Sequence, residues 1–126
     1  MVRREGATRG SPEAAVSRRV RIHPEAAAEA EAAVAWCEDE HTGLGSSLAS
    51  DLEFANARLS NPIEKGVPVL SGAAPTGSRR IVLRRFPYDV VFILEGDVAT
   101  ILAYAHHARR PGYWRKRQSK PTRSGR

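Results

Sequence analysis

The chain has 126 residues, 41% of them hydrophobic and 27% charged, which suits one domain of ordinary size. No apolar run approaches the roughly 18–20 residues that span a bilayer, and the Arg3-Arg4-Glu5-Gly6 segment after Met1 lacks the apolar core of a secretory signal. The single cysteine, Cys37, excludes an internal disulfide framework and argues against a cysteine-based metal site, so a cytoplasmic protein is expected.

The net charge of +6 is unevenly spread. Residues 23–63 hold one cation, Arg58, against eight acids, a net of −7, whereas residues 64–126 hold thirteen cations against four acids, a net of +9. A preference for arginine over lysine in coding would explain seventeen Arg against three Lys, but not this segregation. Two surfaces of opposite sign imply two different partners.

Residues 1–16 mix Gly, Ser, Pro and charge without apolar periodicity and read as a disordered arm. A short strand is expected over 17–22, with Val20 and Ile22 on one face and Arg19 and Arg21 on the other. Pro24 breaks it and opens a helix over 25–40, proline being tolerated in a first turn. Ala26, Ala30, Ala33, Val34 and Cys37 form one apolar stripe along that helix, flanked by Trp36, which is expected to cover the edge of the core. The glycines of Thr42-Gly43-Leu44-Gly45 stop it. A second helix over 47–59 repeats the spacing with Leu48, Leu52, Ala55 and Leu59, completing an αα-hairpin, and Asn61-Pro62 ends it.

Residues 61–78 are rich in Pro, Gly and Ser and read as a long loop. Strands follow over 79–85, 88–95 and 98–105, separated by Phe86-Pro87 and by Gly96-Asp97, a two-residue hairpin signal. The nearly continuous apolar run over 88–95 marks a strand with a covered face. The expected fold is α+β: β-α-α-β-β-β, a mainly antiparallel four-stranded twisted sheet with an αα-hairpin on one face. Pro111-Gly112 then turns the chain, Tyr113 to Arg117 forms a short helical turn, and residues 118–126 read as a basic tail.

A Phe-Pro-Tyr hairpin, a strand pair and then His106-His107-x-Arg109-Arg110-Pro-x-Tyr113-Trp114 resembles the RelE/ParE superfamily, toxins of bacterial type II toxin–antitoxin pairs. The resemblance covers residues 17–117 and carries the same topology. It implies a growth-inhibiting toxin of the plasmid-stabilisation type, neutralised by a cognate antitoxin in a hetero-oligomer. Its nuclease members cut ribosome-bound mRNA using arginines on the sheet and a tyrosine near the C-terminus. Such cleavage needs a base for the 2′-OH, cations for the phosphorane and an acid for the leaving oxygen. Tyr113 matches the terminal tyrosine. Asp89 stands where the nucleases carry Arg, and His107 where they carry a cation just past the last strand.

An acid in place of a phosphate-binding Arg exchanges attraction for repulsion, worth several kcal/mol at about 4 Å in a surface-like dielectric. The resemblance therefore favours the ParE branch, which acts by binding DNA gyrase, over a ribosome-dependent endonuclease. A third reading is an inactive relative that binds only its antitoxin. Catalytic candidates are Tyr113, His107 and Arg85. Arg109, Arg110, Tyr113, Trp114, Arg115 and Arg117 form a basic-aromatic cluster suited to target or antitoxin contact; for Tyr113 and Trp114 a hydrophobic clasp on the sheet is the alternative. Adjacent His106 and His107 would point to opposite faces of a strand, so no metal and no cofactor is expected.

Overall fold

In the computed structural model residues 17–71, 74–109, 112–114 and 116–117 are described; the expected arm over 1–16 and tail over 118–126 lie outside them. The elements are β1 (Arg19–Ile22), α1 (Pro24–Glu40), α2 (Leu44–Leu59), β2 (Val67–Ser71), β3 (Ala74–Val82), β4 (Tyr88–Glu95) and β5 (Val98–His106). The α+β class and the helical hairpin match expectation. The sheet has five strands rather than four, in the order β1-β5-β4-β3-β2, with β1 parallel to β5 and the remaining pairs antiparallel.

The extra strand, β2, arises in the segment read as a loop. Its Pro68 suggested irregular chain, yet β2 is the edge of the sheet, the position where proline costs a strand least. Gly66 leads into it with φ +59°, and a Cβ there would collide with the Arg80 carbonyl, so only glycine brings the chain this close to β3.

His23 caps α1, its Nδ1 accepting from the Glu25 N–H at 3.1 Å, and Pro24 fills the first helical position. Gly43 alone makes the reversal at φ +90°, so α2 starts at Leu44, three residues earlier than its periodicity indicates. Glu38 of α1 caps the partner helix: its carboxylate accepts from the Gly43 and Gly45 N–H groups at 3.0 Å each. A Cβ on Gly45 would lie 2.6 Å from the Val34 carbonyl oxygen. The hairpin thus closes backbone against backbone, which the small stripe Ala26, Ala33 and Cys37 permits farther along.

Arg18, only 7% exposed, closes the other end of α2. Its guanidinium donates to the carbonyl of Leu59 at 2.9 Å, a group that the helix terminus leaves without an intrahelical partner, and to those of Asn61 at 3.1 Å and Glu64 in the turn that follows.

Both faces of the sheet are buried. Leu48, Leu52, Ala55 and Leu59 pack on Ile81, Leu83, Val90, Phe92 and Ile101 on the helical side. Val69, Val91, Ile93, Leu102, Ala103 and Ala105 on the other side are covered by Trp114. A bulge shifts the register between Val91 and Phe92, whose partners are Ala103 and Ile101. Leu102 and Ala103 consequently share one face, and Tyr104 falls on the helical side, where its hydroxyl donates to Asn56 Oδ1 at 3.0 Å. Trp36 does not cover the core edge: it is 61% exposed, on the outer face of α1. Among the described residues no helix is long and apolar enough to cross a membrane.

Candidate functional site

The face of the sheet opposite the helices carries a cleft of about 520 Å³. Pro68 and Val69 of β2 form one wall, Arg80 and Val82 of β3 with Asp89 of β4 the base, and Ala105 to His107 with Arg109 and Trp114 the other wall.

Asp89 is the electrostatic centre of this cleft. It is 8% exposed, and its two carboxylate oxygens are divided between β3 and the turn that follows β5. Oδ2 accepts from Arg80 Nη1 at 3.2 Å, and His107 Nε2 donates to Oδ1 at 2.9 Å. Val82 is the direct cross-strand partner of Asp89, so Arg80, two residues earlier, is its diagonal neighbour on the same face. Both oxygens of the Asp89 carboxylate are therefore satisfied, one by Arg80 and one by His107. Arg80 Nε, at the foot of the same guanidinium, is closed off from solvent and has no hydrogen-bond partner.

The terminal tyrosine points elsewhere. Tyr113 donates its hydroxyl to Glu29 Oε2 at 2.9 Å, reaching from the C-terminal segment to α1. Arg117 Nη2 donates to the same oxygen at 3.0 Å. Burial, and after it the Glu29 carboxylate, pushes the Tyr113 hydroxyl far above the ordinary tyrosine range. Such a hydroxyl is neither a base nor a ready acid near neutral pH. Two guanidinium groups lie against its ring, Arg109 at 3.9 Å and Arg117 at 5.2 Å from the ring centre.

Glu29 and Arg117 also finish the sheet. β1 ends at Ile22, opposite Ile101, and β5 continues to His106. Beyond that point Glu29 Oε1 accepts from the Tyr104 N–H at 3.1 Å and Arg117 Nη1 donates to the Leu102 carbonyl at 2.9 Å. Two side chains thus take the place of the missing strand.

The catalytic candidates are not gathered at one place. His107 is in the cleft, Tyr113 is turned to Glu29, and Arg85 lies with α2, where its Nε and Nη2 donate to Asp51 at 3.2 and 2.8 Å. Among the contact candidates Arg109 is exposed at the cleft. Trp114 is 4% exposed, its Nε1 donating to Ser78 Oγ at 3.2 Å, and serves as a wall. The Arg117 side chain is 11% exposed and belongs to the clasp on Glu29. Arg110 and Arg115 lie outside the described residues. His106 Nδ1 accepts from the Ala108 N–H at 2.9 Å, and its ring meets Tyr88 edge-on. Among the described residues no three His, Cys, Asp or Glu side chains gather as a metal site.

Sequence reasoning missed Arg80, Glu29 and Arg18. The alternation of 79–85 held no signal for Arg80, which becomes the counter-charge of Asp89 only through the register of β3 on β4. Glu29, on an acidic helix, carried none either.

No family model matches this chain, and no curated protein matches it. Among solved structures, a chain from the chromosomal ParDE TA system from P. aeruginosa superposes with a TM-score of 0.60 at 19% identity, covering 71% of this chain and 96% of that one. The likeness extends over nearly the whole of that chain and shows a shared fold.

Proposed function

We propose that this chain is the toxin of a type II toxin–antitoxin module, that it arrests growth by binding its target rather than by cutting RNA, and that a cognate antitoxin neutralises it. The fold shared with a chain of a ParDE system supports the module. The choice of binding over cleavage rests on one observation: the cleft centres on an anion, Asp89, that already uses Arg80 and His107.

RNA cleavage needs cations preorganised around the phosphorane and groups free to move protons. A phosphate entering here would compete with Asp89 for Arg80 while feeling its repulsion. The Tyr113 proton is committed to Glu29. What the cleft retains is a binding surface: the half-exposed Arg80 and His107 side chains and the exposed Arg109 around an apolar wall. Arginines beside a buried aromatic suit protein hot spots. By family resemblance the target is DNA gyrase, and the site of action the cytoplasm.

The test is induction of the chain alone, followed by separate measurement of DNA and protein synthesis. Arrest of DNA synthesis, inhibition of gyrase supercoiling by purified protein and intact ribosome-bound messages are expected. Site-specific cleavage of those messages, abolished by Tyr113→Phe, would move the chain to the ribosome-dependent mRNA endonucleases. Normal growth at confirmed expression would leave an inactive relative.

A further inference from the structure

Two of the described arginines line the cleft, and they stand differently in it. Arg80 is bound to Asp89. Arg109 forms no ion pair with any described residue, and its side chain is exposed.

What Arg109 touches is a ring. Its guanidinium carbon lies 3.9 Å from the centre of the Tyr113 ring, in van der Waals contact with the ring face. Its backbone N–H donates to the His106 carbonyl at 2.9 Å, so the root of the side chain is fixed as well. Tyr113 is half-buried and stands behind the cleft rather than in its lining. Its hydroxyl is anchored on Glu29, and its ring meets Trp114, a wall of the cleft, edge-on at 5.2 Å. The platform is therefore held at both ends before anything binds.

An unsupported arginine gives up much rotamer freedom when a ligand orders it. One already lying on an aromatic face has surrendered part of that freedom in folding, which favours binding. Contact through the ring also leaves the guanidinium N–H groups free, because the ring offers no strong acceptor. Such a fork matches a carboxylate with two parallel hydrogen bonds.

We infer that Arg109 is the carboxylate-binding fork of the cleft, and that Tyr113 is its positioning residue, contributing its ring rather than its hydroxyl. The ligand class is an acidic side chain of a protein. A nucleic-acid strand repeats its charge at every nucleotide, and one laid along the cleft would bring a further phosphate over Asp89. That the acid belongs to the target of growth arrest rests on the reading proposed above; the fork and its platform do not.

The experiment titrates glutarate into the full-length protein and follows the backbone amide resonances of Ala105, His106 and His107 on the cleft wall. Wild type should saturate with a Kd on the order of 1 mM, as suits a small dianion on one fork. Tyr113→Phe, the conservative variant, should keep at least about half of that affinity, since the ring remains. Tyr113→Leu and Arg109→Lys should each bind at least about threefold more weakly, the scale of a lost cation–π contact. In an Arg109→Ala background Tyr113→Leu should cost no further affinity, although it still lowers the melting point. A tyrosine with a merely structural role would not show that dependence on Arg109. Because Arg109 is exposed, Arg109→Lys folds whatever Tyr113→Leu does, and it keeps the test decisive. Graded induction in cells supplies the second readout: Arg109→Ala should need at least about threefold more protein than wild type to arrest growth.

Wild-type affinity in Tyr113→Leu would overturn the platform, and wild-type affinity in Arg109→Lys would overturn the fork. Absence of a saturable shift in wild type would overturn the site. Inorganic phosphate binding more tightly than glutarate at the same amides would overturn the ligand class. Undiminished arrest in Arg109→Ala, with glutarate binding lost, would overturn the fork's part in holding the target and leave the toxin reading intact. A fork that behaves as described in a chain that never arrests growth would sustain the fork and overturn the toxin reading.

Discussion

The Tyr113 hydroxyl and the Glu29 carboxylate meet at 2.9 Å across the edge of the sheet, tying the C-terminal segment to the first helix. Among the described residues Glu29 accepts three donors: the Tyr113 hydroxyl, Arg117 Nη2 and the Tyr104 backbone N–H. Removing one partner of a hydrogen bond to a charged group leaves the other unsatisfied, at about 1.5–3 kcal/mol when buried. Glu29→Ala should therefore destabilise the protein by about 2–3 kcal/mol, and Tyr113→Phe by only about 1 kcal/mol, because the ring and its two guanidinium contacts remain. Thermal melts should separate the two, each kcal/mol moving the midpoint by roughly 4–8 °C in a small domain. Equal shifts would show that Glu29 does no more than hold the hydroxyl.

The same pair sets an alkaline limit. Burial and then Glu29 raise the Tyr113 pKa above its ordinary value, and burial raises Tyr88 and Tyr104 in the same direction. A raised pKa means that the folded state holds its proton more tightly than the unfolded state does. The associated stability is whole below about pH 10, the unfolded tyrosine value, and is lost as pH rises beyond it toward the folded-state value. Denaturant titrations between pH 8 and 11 should show a steeper decline for wild type than for Tyr113→Phe, which deletes one of the three contributions. Parallel curves would mean that the Tyr113 proton is not linked to folding.

Gly45 predicts the tolerance of the helical hairpin. Gly45→Ala places a methyl 2.6 Å from the Val34 carbonyl oxygen and 2.9 Å from Glu38 Cβ. Backbone must move, and overpacking of this kind costs typically about 1–3 kcal/mol. Helix propensity alone would have made the substitution stabilising by up to about 1 kcal/mol. A raised melting point would show that the helices separate freely at this contact.

Arg18 decides where the folded unit begins. A chain starting at Val16 should melt within a few degrees of full length, whereas Arg18→Ala strips the carbonyls of Leu59, Asn61 and Glu64 of their donor. About 2–3 kcal/mol is the expected loss for a buried charged donor serving several acceptors. A large drop from removing residues 1–15 would show the arm packed on the domain.

The parts legible in the sequence are those governed by neighbours along the chain. The apolar run over Tyr88–Glu95, the Gly96-Asp97 turn and the spacing of Leu48, Leu52 and Leu59 place their elements within a few residues. Asp89 was legible as an acid out of place. Its compensation was not, because Arg80 becomes its neighbour only through the register of β3 on β4. β2 was hidden by Pro68, whose meaning depends on an edge position that one strand cannot announce. Period-2 reading also fails at Leu102, where the bulge turns Tyr104 toward the helices. Glu29 reads as one more solvated acid until the topology brings the C-terminal segment across it.

Strand β5 is paired along one side by β4 and along the other first by β1 and then by Glu29 and Arg117. The first strand of the fold and the residues that end it thus converge on the last strand to be synthesised. β1 and α1 leave the ribosome early, but their place in the sheet does not exist until β5 has emerged. Pairings between distant parts of a chain also form slowly, since loop closure precedes the contacts that reward it. The pairing of β1, the clasp on Glu29 and the wall of the cleft therefore cannot be complete before β5 and Arg117 have been synthesised.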